Sequence, residues 1–202
     1  MPEQPDVIFA VEPWTITEAA FSMDTNYRNE TTFALSNGYI GTRGTQDEGL
    51  PLDVEHGLEG NFINGFYESE QVRYGEWNFG FPTQSQSLLN LPNLKQITLT
   101  ADGETFDPRT SRMTQYQRRL NMQAGTVTRE LVWTTASGKR LRVESCRFCS
   151  LSDKNVMALR YVVTPLDGDM TLTLASTLDA EVENHTRKTN PLVDYGPFGR
   201  RI

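Results

Sequence analysis

The segment TQYQRRLNMQAGTVTRELVWTTASGKRLRVES, residues 114–145, decides the fold. Side chains two apart on a strand share a face, and this segment alternates at that period between turn residues. Tyr116, Leu120 and Met122 fall on one face, with Gln115, Gln117, Arg119 and Asn121 on the other. Ala124-Gly125 turns the chain. Val127, Leu131 and Trp133 then share a face, and Ala136-Ser137-Gly138 turns it again. Leu141 and Val143 resume the pattern, which slips near Ser145 and predicts a β-bulge there. A run of antiparallel strands follows from the segment.

The same reading extends in both directions. Downstream, VMALRYVVT (156–164) is apolar on both faces, which predicts a central strand covered on both sides. Asp167-Gly168-Asp169 is a hairpin turn, and MTLTLASTL (170–178) sets Met170, Leu172, Leu174 and Leu178 against threonines. Upstream, KQITLTADGETFD (95–107) reads as a strand, an Asp102-Gly103 turn and a return strand. After residue 95 no stretch has the apolar spacing of a long amphipathic helix. A barrel and a β-sandwich both accommodate such a series. The long strands and many hairpins favour a large all-β antiparallel sandwich with long aromatic-rich loops.

Residues 45–95 lack a regular period and carry Phe62, Phe66, Tyr67, Tyr74, Trp77, Phe79 and Phe81. So long an irregular stretch predicts loops built around short strands that cover or present something. Packing over a sheet and stacking against pyranose rings are the two uses open to these rings, with packing the ordinary one.

Composition narrows the function. The chain has 202 residues, 19 basic against 26 acidic, for a net charge of −7. Its basic residues are scattered, which disfavours a nucleic-acid surface. No stretch reaches the length of an apolar membrane span, and MPEQPDVIFAVEPW has no basic segment followed by an apolar core, so the expectation is a cytoplasmic protein without membrane contact. Cys146 and Cys149, three apart on one strand, face opposite ways and read as reduced structural thiols. A zinc site would need a second pair of ligands, and the only histidines are His56 and His185. No metal site is expected. The triplets at Asn29 and Asn184 match glycosylation acceptors by pattern alone.

The glycine-rich stretch LSNGYIGTRGTQDEG (35–49) has neither the Gly-Lys-Ser/Thr of a nucleotide loop nor the spacing of a dinucleotide turn, and no helix pattern follows it. Arg43 beside this backbone suits an anion or a sugar hydroxyl, or a structural pairing with Asp47 or Glu48. Carboxylates are plentiful at Glu30, Asp47, Glu48, Asp53, Glu55 and Glu59, but no spacing selects a general acid and base. The residues by themselves identify no catalytic group.

Taken together, PWTITEAAFS, NETTFALSNGYIGTRGTQDEG, GNFINGFYES, LPNLKQITLTADGETFD and the segment quoted first resemble, in the same order, the N-terminal region of glycoside hydrolase family 65. The resemblance runs from Pro13 to Asn184. That family includes maltose, trehalose and kojibiose phosphorylases and related hydrolases. It implies an N-terminal β-sandwich over residues 1–185, with 186–202 beginning a linker toward an (α/α)6 barrel. The family's general-acid Glu and phosphate-binding residues lie in that barrel, so no residue here inherits either role. The implied reaction inverts the anomeric centre: a Glu protonates the glycosidic oxygen while inorganic phosphate, a co-substrate rather than a cofactor, attacks from the opposite face. Implied partners are the barrel, a disaccharide and a second subunit. Ser36 stands where the family usually has Gly. Tyr39, Arg43, Glu48 and Trp77 are the substrate-proximal or barrel-facing candidates. A same-family hydrolase and a free-standing carbohydrate-binding module are the alternative readings.

Overall fold

The computed structural model describes residues 8–49, 56–184 and 193–194. The expected linker start at 186–202 lies outside the described residues except for Val193–Asp194. In chain order the elements are β1 (Thr15–Glu18), α1 (Met23–Thr32), β2 (Leu35–Ser36), β3 (Ile40–Thr42) and β4 (Asn61–Ile63). A ribbon region follows: β5 (Tyr67–Gln71), β6 (Arg73–Tyr74) and β7 (Gln84–Leu88). The long strands are β8 (Asn93–Ala101), β10 (Arg112–Asn121), β11 (Thr126–Thr134), β12 (Arg140–Cys149), β13 (Met157–Pro165) and β14 (Leu172–Asp179), with short β9 (Glu104–Thr105) and β15 (Val193–Asp194).

Two sheets face each other, as a sandwich requires. One has the order β1-β10-β11-β12-β13, the other β14-β8-β9, and every pairing is antiparallel. Leu99 and Ala101 of β8 meet Tyr116, Leu131, Trp133, Leu141 and Val143 of the larger sheet in one apolar core, closed by Phe106. The Phe106 and Trp133 rings lie 5.2 Å apart. A second apolar cluster of Phe33, Leu35, Val127 and Cys149 fills the far end of the same sheet. The Asp102-Gly103 turn joins β8 to β9 with both residues at positive φ, the geometry that matches strand twist in a two-residue hairpin.

Five expectations are corrected. Asp167-Gly168-Asp169 is not a hairpin turn: it carries the chain from β13 in the larger sheet to β14 in the smaller one, and these two strands do not pair. The pairing of β11 with β12 runs unbroken through Ser145. The bulge lies instead in β10 between Thr114 and Gln117, where Gln115 has φ 54°. The pattern slips at 145 only because the inward positions change from apolar to polar: Ser145 and Arg147 are buried in phase with Leu141 and Val143. Among the described residues β13 pairs only with β12 and so lies at the edge of its sheet, and Met157, Leu159, Tyr161, Val162 and Val163 are half-buried. Leu174 and Leu178 of β14 and Met122, grouped with inward residues, are largely exposed. Finally, of the 62–81 aromatics Phe66, Tyr67, Trp77, Phe79 and Phe81 are exposed, not buried over a sheet.

Helix α1 stands in the region that periodicity left unassigned. Its buried residues are Asn26, Asn29 and Glu30, so it has no apolar stripe. Polar contacts hold it: Asn29 Nδ2 donates to Glu18 Oε1 at 2.6 Å, and Asn26 Nδ2 to the His56 carbonyl at 2.8 Å. Asn29 is thus buried inside the fold and is no glycosylation site. Cys149 is buried, Cys146 half-buried, and both are free thiols.

Candidate functional site

The glycine-rich stretch opens with the β2–β3 hairpin. Asn37 Oδ1 accepts from the backbone N–H groups of Tyr39 and Ile40, at 3.0 and 2.8 Å, while its Nδ2 donates to the Ser150 carbonyl at 2.7 Å. One side chain therefore shapes the turn and ties it to the loop between β12 and β13. The half-buried Tyr39 ring lies under the Lys154 ammonium, 4.6 Å from its centroid.

Arg43 turns inward and pairs with neither Asp47 nor Glu48. Its guanidinium donates to the carbonyls of Leu58 (2.9 Å) and Tyr27 (3.2 Å), lies over the Tyr27 ring and stands 3.6 Å from Glu30 Oε2. Burial pushes the Glu30 carboxyl above its ordinary range, although the Leu58 N–H, Asn26 and Arg43 oppose the shift. Gly44 then passes so close to α1 that a Cβ would lie 2.7 Å from the Phe33 carbonyl carbon. Its N–H donates to the Glu30 carbonyl at 2.7 Å, which seats the loop against the helix end.

From Gly44 to Glu48 the loop runs beneath the larger sheet, and arginines on three adjacent strands receive it. Arg118 of β10 donates from Nη1 to the Gly44 carbonyl (2.6 Å) and from Nε to Glu18 Oε2 (2.7 Å). Arg129 of β11 binds Gln46 Oε1 and both oxygens of Glu48. Arg147 of β12 stands 3.2 Å from Asp47 Oδ1, and Ser145 Oγ donates to Asp47 Oδ2 at 2.5 Å. Two phenols complete the belt: Tyr116 donates to Glu18 Oε2 at 3.0 Å, and Tyr161 to Glu48 Oε1 at 2.6 Å. The Asp47 carbonyl accepts from Ile97 N–H at 2.7 Å, so the loop also joins the edge of β8.

Electrostatics follow from this geometry. Burial disfavours the charged form of Asp47, but Arg147, Arg129 and Ser145 outweigh it and hold the carboxyl below its usual range. Burial pushes the Tyr116 phenol up to about 12 and raises Tyr161 further, so both remain protonated donors. Nearby, burial lowers the Lys95 ammonium below its ordinary range, against the pull of its very close partner Glu59. With its carboxylates each matched to an arginine or lysine, the belt holds a loop and carries no acid–base pair. Among the described residues no cluster of His, Cys, Asp and Glu is arranged to hold a metal ion.

The outward-facing chemistry is elsewhere. Strands β5 and β7 form a two-stranded ribbon with Tyr67 opposite Leu88 at its base. At its far end Phe81 N–H donates to the Asn78 carbonyl (3.1 Å), and Gly80, with φ 89°, takes the turn position that requires positive φ. Phe79 is consequently 92% exposed and Trp77 63%, with Phe66, Tyr67 and Phe81 also exposed. Among these rings Tyr74 and Phe81 are in contact, tilted by 45° with centroids 4.9 Å apart.

The four candidates therefore occupy three settings. Tyr39 lies at the hairpin, Arg43 and Glu48 point inward, and Trp77 lies on the ribbon tip. Pattern reading missed Arg118, Arg129 and Arg147 as interior residues. The signal was present in phase: Arg118 falls between Tyr116 and Leu120, Arg129 between Val127 and Leu131, and Arg147 between Val143 and Cys149.

The profile of glycosyl hydrolase family 65, N-terminal domain, matches residues 16–195. An α,α-trehalose phosphorylase from Thermoanaerobacter brockii is 39% identical over 177 residues, covering 88% of this chain and 23% of that protein. An uncharacterised glycosyl hydrolase from Mycobacterium tuberculosis is 37% identical over 170 residues (84% and 21%), and a maltose phosphorylase from Bacillus subtilis 32% over 177 residues (88% and 23%). A solved structure described as a candidate kojibiose phosphorylase from the human microbiome superposes with a TM-score of 0.75 at 23% identity, covering 87% of this chain and 24% of that one. The chain spans less than a quarter of the length of these relatives. No helix among the described residues is long and apolar enough to cross a membrane.

Proposed function

The chain belongs to glycosyl hydrolase family 65 as its N-terminal domain, and from that premise we propose that it is the non-catalytic β-sandwich of an inverting disaccharide phosphorylase. The carrying observation is the match over residues 16–195, shared with relatives named for trehalose and maltose phosphorolysis. The belt is consistent with this role, because its carboxylates are neutralised in place and none is free to shuttle a proton.

In this reading the catalytic barrel lies in the remainder of a longer cytoplasmic, dimeric enzyme. A barrel carboxylic acid protonates the glycosidic oxygen as inorganic phosphate attacks the anomeric carbon from the opposite face, releasing glucose and β-glucose 1-phosphate. The sandwich supports that barrel. Trp77 and its ribbon neighbours are its barrel- or sugar-facing side chains and Tyr39 lies at the boundary, while Arg43 and Glu48 hold the loop from inside. The name of the mycobacterial relative favours a second reading, a hydrolase built on the same domain.

The test is to assay the full-length enzyme on maltose, trehalose and kojibiose with and without inorganic phosphate. Phosphate-dependent formation of β-glucose 1-phosphate is expected. Glucose release indifferent to phosphate selects the hydrolase, and turnover by the 202-residue chain alone overturns the non-catalytic assignment.

A further inference from the structure

The outer face of the five-stranded sheet has chemistry of its own. Residues paired across antiparallel strands share a face, so Arg119, Thr128, Cys146 and Arg160 form one row across β10, β11, β12 and β13. Gln117, Glu130 and Glu144 form the next row on that face. Arg118, Arg129 and Ser145 alternate with these residues along the strands and are buried on the inner side. The two outer rows line one depression of about 210 Å³. Its arginines, Thr128 and both glutamates are exposed, and Gln117 and Cys146 are half-buried.

The pairing state of these charges decides what the depression can bind. Glu130 is matched by Arg142 at 3.4 Å. Arg119, Arg160 and Glu144 have no side-chain partner among the described residues, whereas Arg118 and Arg129 on the inner face are each matched to a carboxylate. Two unmatched guanidinium groups on a chain of net charge −7 form a local attraction for an anion. Three strand spacings, about 14 Å, separate their backbones, and both side chains line the same depression. Planar guanidinium forks match phosphate oxygens in pairs. The second row offers a different set: the Glu144 carboxylate accepts hydrogen bonds, and the Gln117 amide both donates and accepts. Sugar hydroxyls satisfy such groups, while a bare phosphate placed beside Glu144 is repelled by it. We propose that this face binds a phosphorylated monosaccharide, with the phosphate between Arg119 and Arg160 and the hydroxyls on Glu144 and Gln117. The proposal depends on the residues of this face and not on which reaction the enzyme performs.

Cys146 reports occupancy from within the site, independently of activity. Its thiol is free and half-buried in the arginine row, and the free thiol of Cys149 is buried on the opposite face. In the full-length polypeptide, alkylation of Cys146 by iodoacetamide is followed by peptide mass spectrometry. The probe is D-glucose 6-phosphate, which the proposed reaction neither forms nor consumes. Alkylation is expected to slow saturably, about tenfold when free probe is about ten times its Kd. D-glucose or inorganic phosphate alone should protect far less at the same concentration. Arg119→Gln combined with Arg160→Gln should abolish the protection while Cys149 stays unlabelled, as a folded chain requires. Equal protection by inorganic phosphate or by glucose overturns the assignment to a phosphorylated sugar, and protection that survives the double substitution overturns the site. So does a Cys146 that reacts equally fast with and without the probe, or one that never reacts because the remainder of the polypeptide covers this face.

Discussion

Along β10, β11 and β12 one side of a single sheet builds two unlike interiors. Toward one end, Leu131, Trp133, Leu141 and Val143 close an apolar core against Leu99. One step along the same strands, Arg118, Arg129 and Arg147 meet Glu18, Asp47 and Glu48, and all six are buried. The apolar tier stabilises through area removed from water and is indifferent to direction. The ionic tier must first overcome desolvation of every charge, so its net contribution is small while the cost of breaking it is large. What the belt supplies is position. Residues 44–48 have no apolar side chain with which to find the sheet; three arginines fix Gly44, Gln46, Asp47 and Glu48, and Thr45 Oγ1 donates to Glu59 at 2.8 Å.

The comparison breaks most sharply at Arg129. Arg129→Met is expected to destabilise the chain by about 3–5 kcal/mol, because Glu48 and Asp47 remain buried without their partner. Leu131→Ala, its neighbour in the apolar tier, costs about 2–5 kcal/mol through lost burial and a cavity. Urea denaturation measures both. The distinguishing variant adds apolar replacements at Asp47, Glu48 and Arg147 to Arg129→Met, so that no charge of the cluster stays buried without its partner: much of the loss should return, whereas no second truncation rescues Leu131→Ala.

Solution pH sharpens the contrast next. The Asp47 carboxyl lies below its unfolded value, so its contribution is complete above about pH 4 and is lost as pH falls through the folded value. Tyr116 is raised to about 12, so its contribution is present below about pH 10 and is lost as pH rises from there toward 12. The melting temperature should fall at both extremes, with Tyr116→Phe flattening the alkaline limb. A flat profile from pH 3 to 11 would count against a charged interior. Trp77→Ala is the smallest change: exposed at the ribbon tip, it should shift the stability of this chain by no more than about 0.5 kcal/mol. Loss of activity or assembly in the full-length enzyme would then locate its role outside the domain.

Legibility follows the range of the forces. Strand alternation in β10–β14 and the hairpin turns at 102–103 and 136–138 depend on neighbouring residues, so element order is readable from the chain; that the turn at 167–169 passes between sheets instead of closing a hairpin is not. Helix α1 is not readable in this way, because its buried side is Asn26, Asn29 and Glu30 rather than an apolar stripe. The slip at Ser145 misleads for a related reason, since a polar inward position imitates a change of face. Exposure of Leu174, Leu178 and Phe79 also eludes pattern, because alternation gives the side of a strand but not the extent of the opposing layer.

The ordered motifs from Pro13 to Asn184 carry family membership and with it the sandwich, through local patterning that any fold of this chain must satisfy. Pairing within the glycine loop is of another kind. Asp47 meets Ser145 across 98 residues, Glu48 meets Arg129 across 81, and Arg43 turns away from both to the carbonyls of Tyr27 and Leu58. Which carboxylate meets which arginine depends on how layers stack and on which charges are buried together, and those conditions exist only once the sheets have closed.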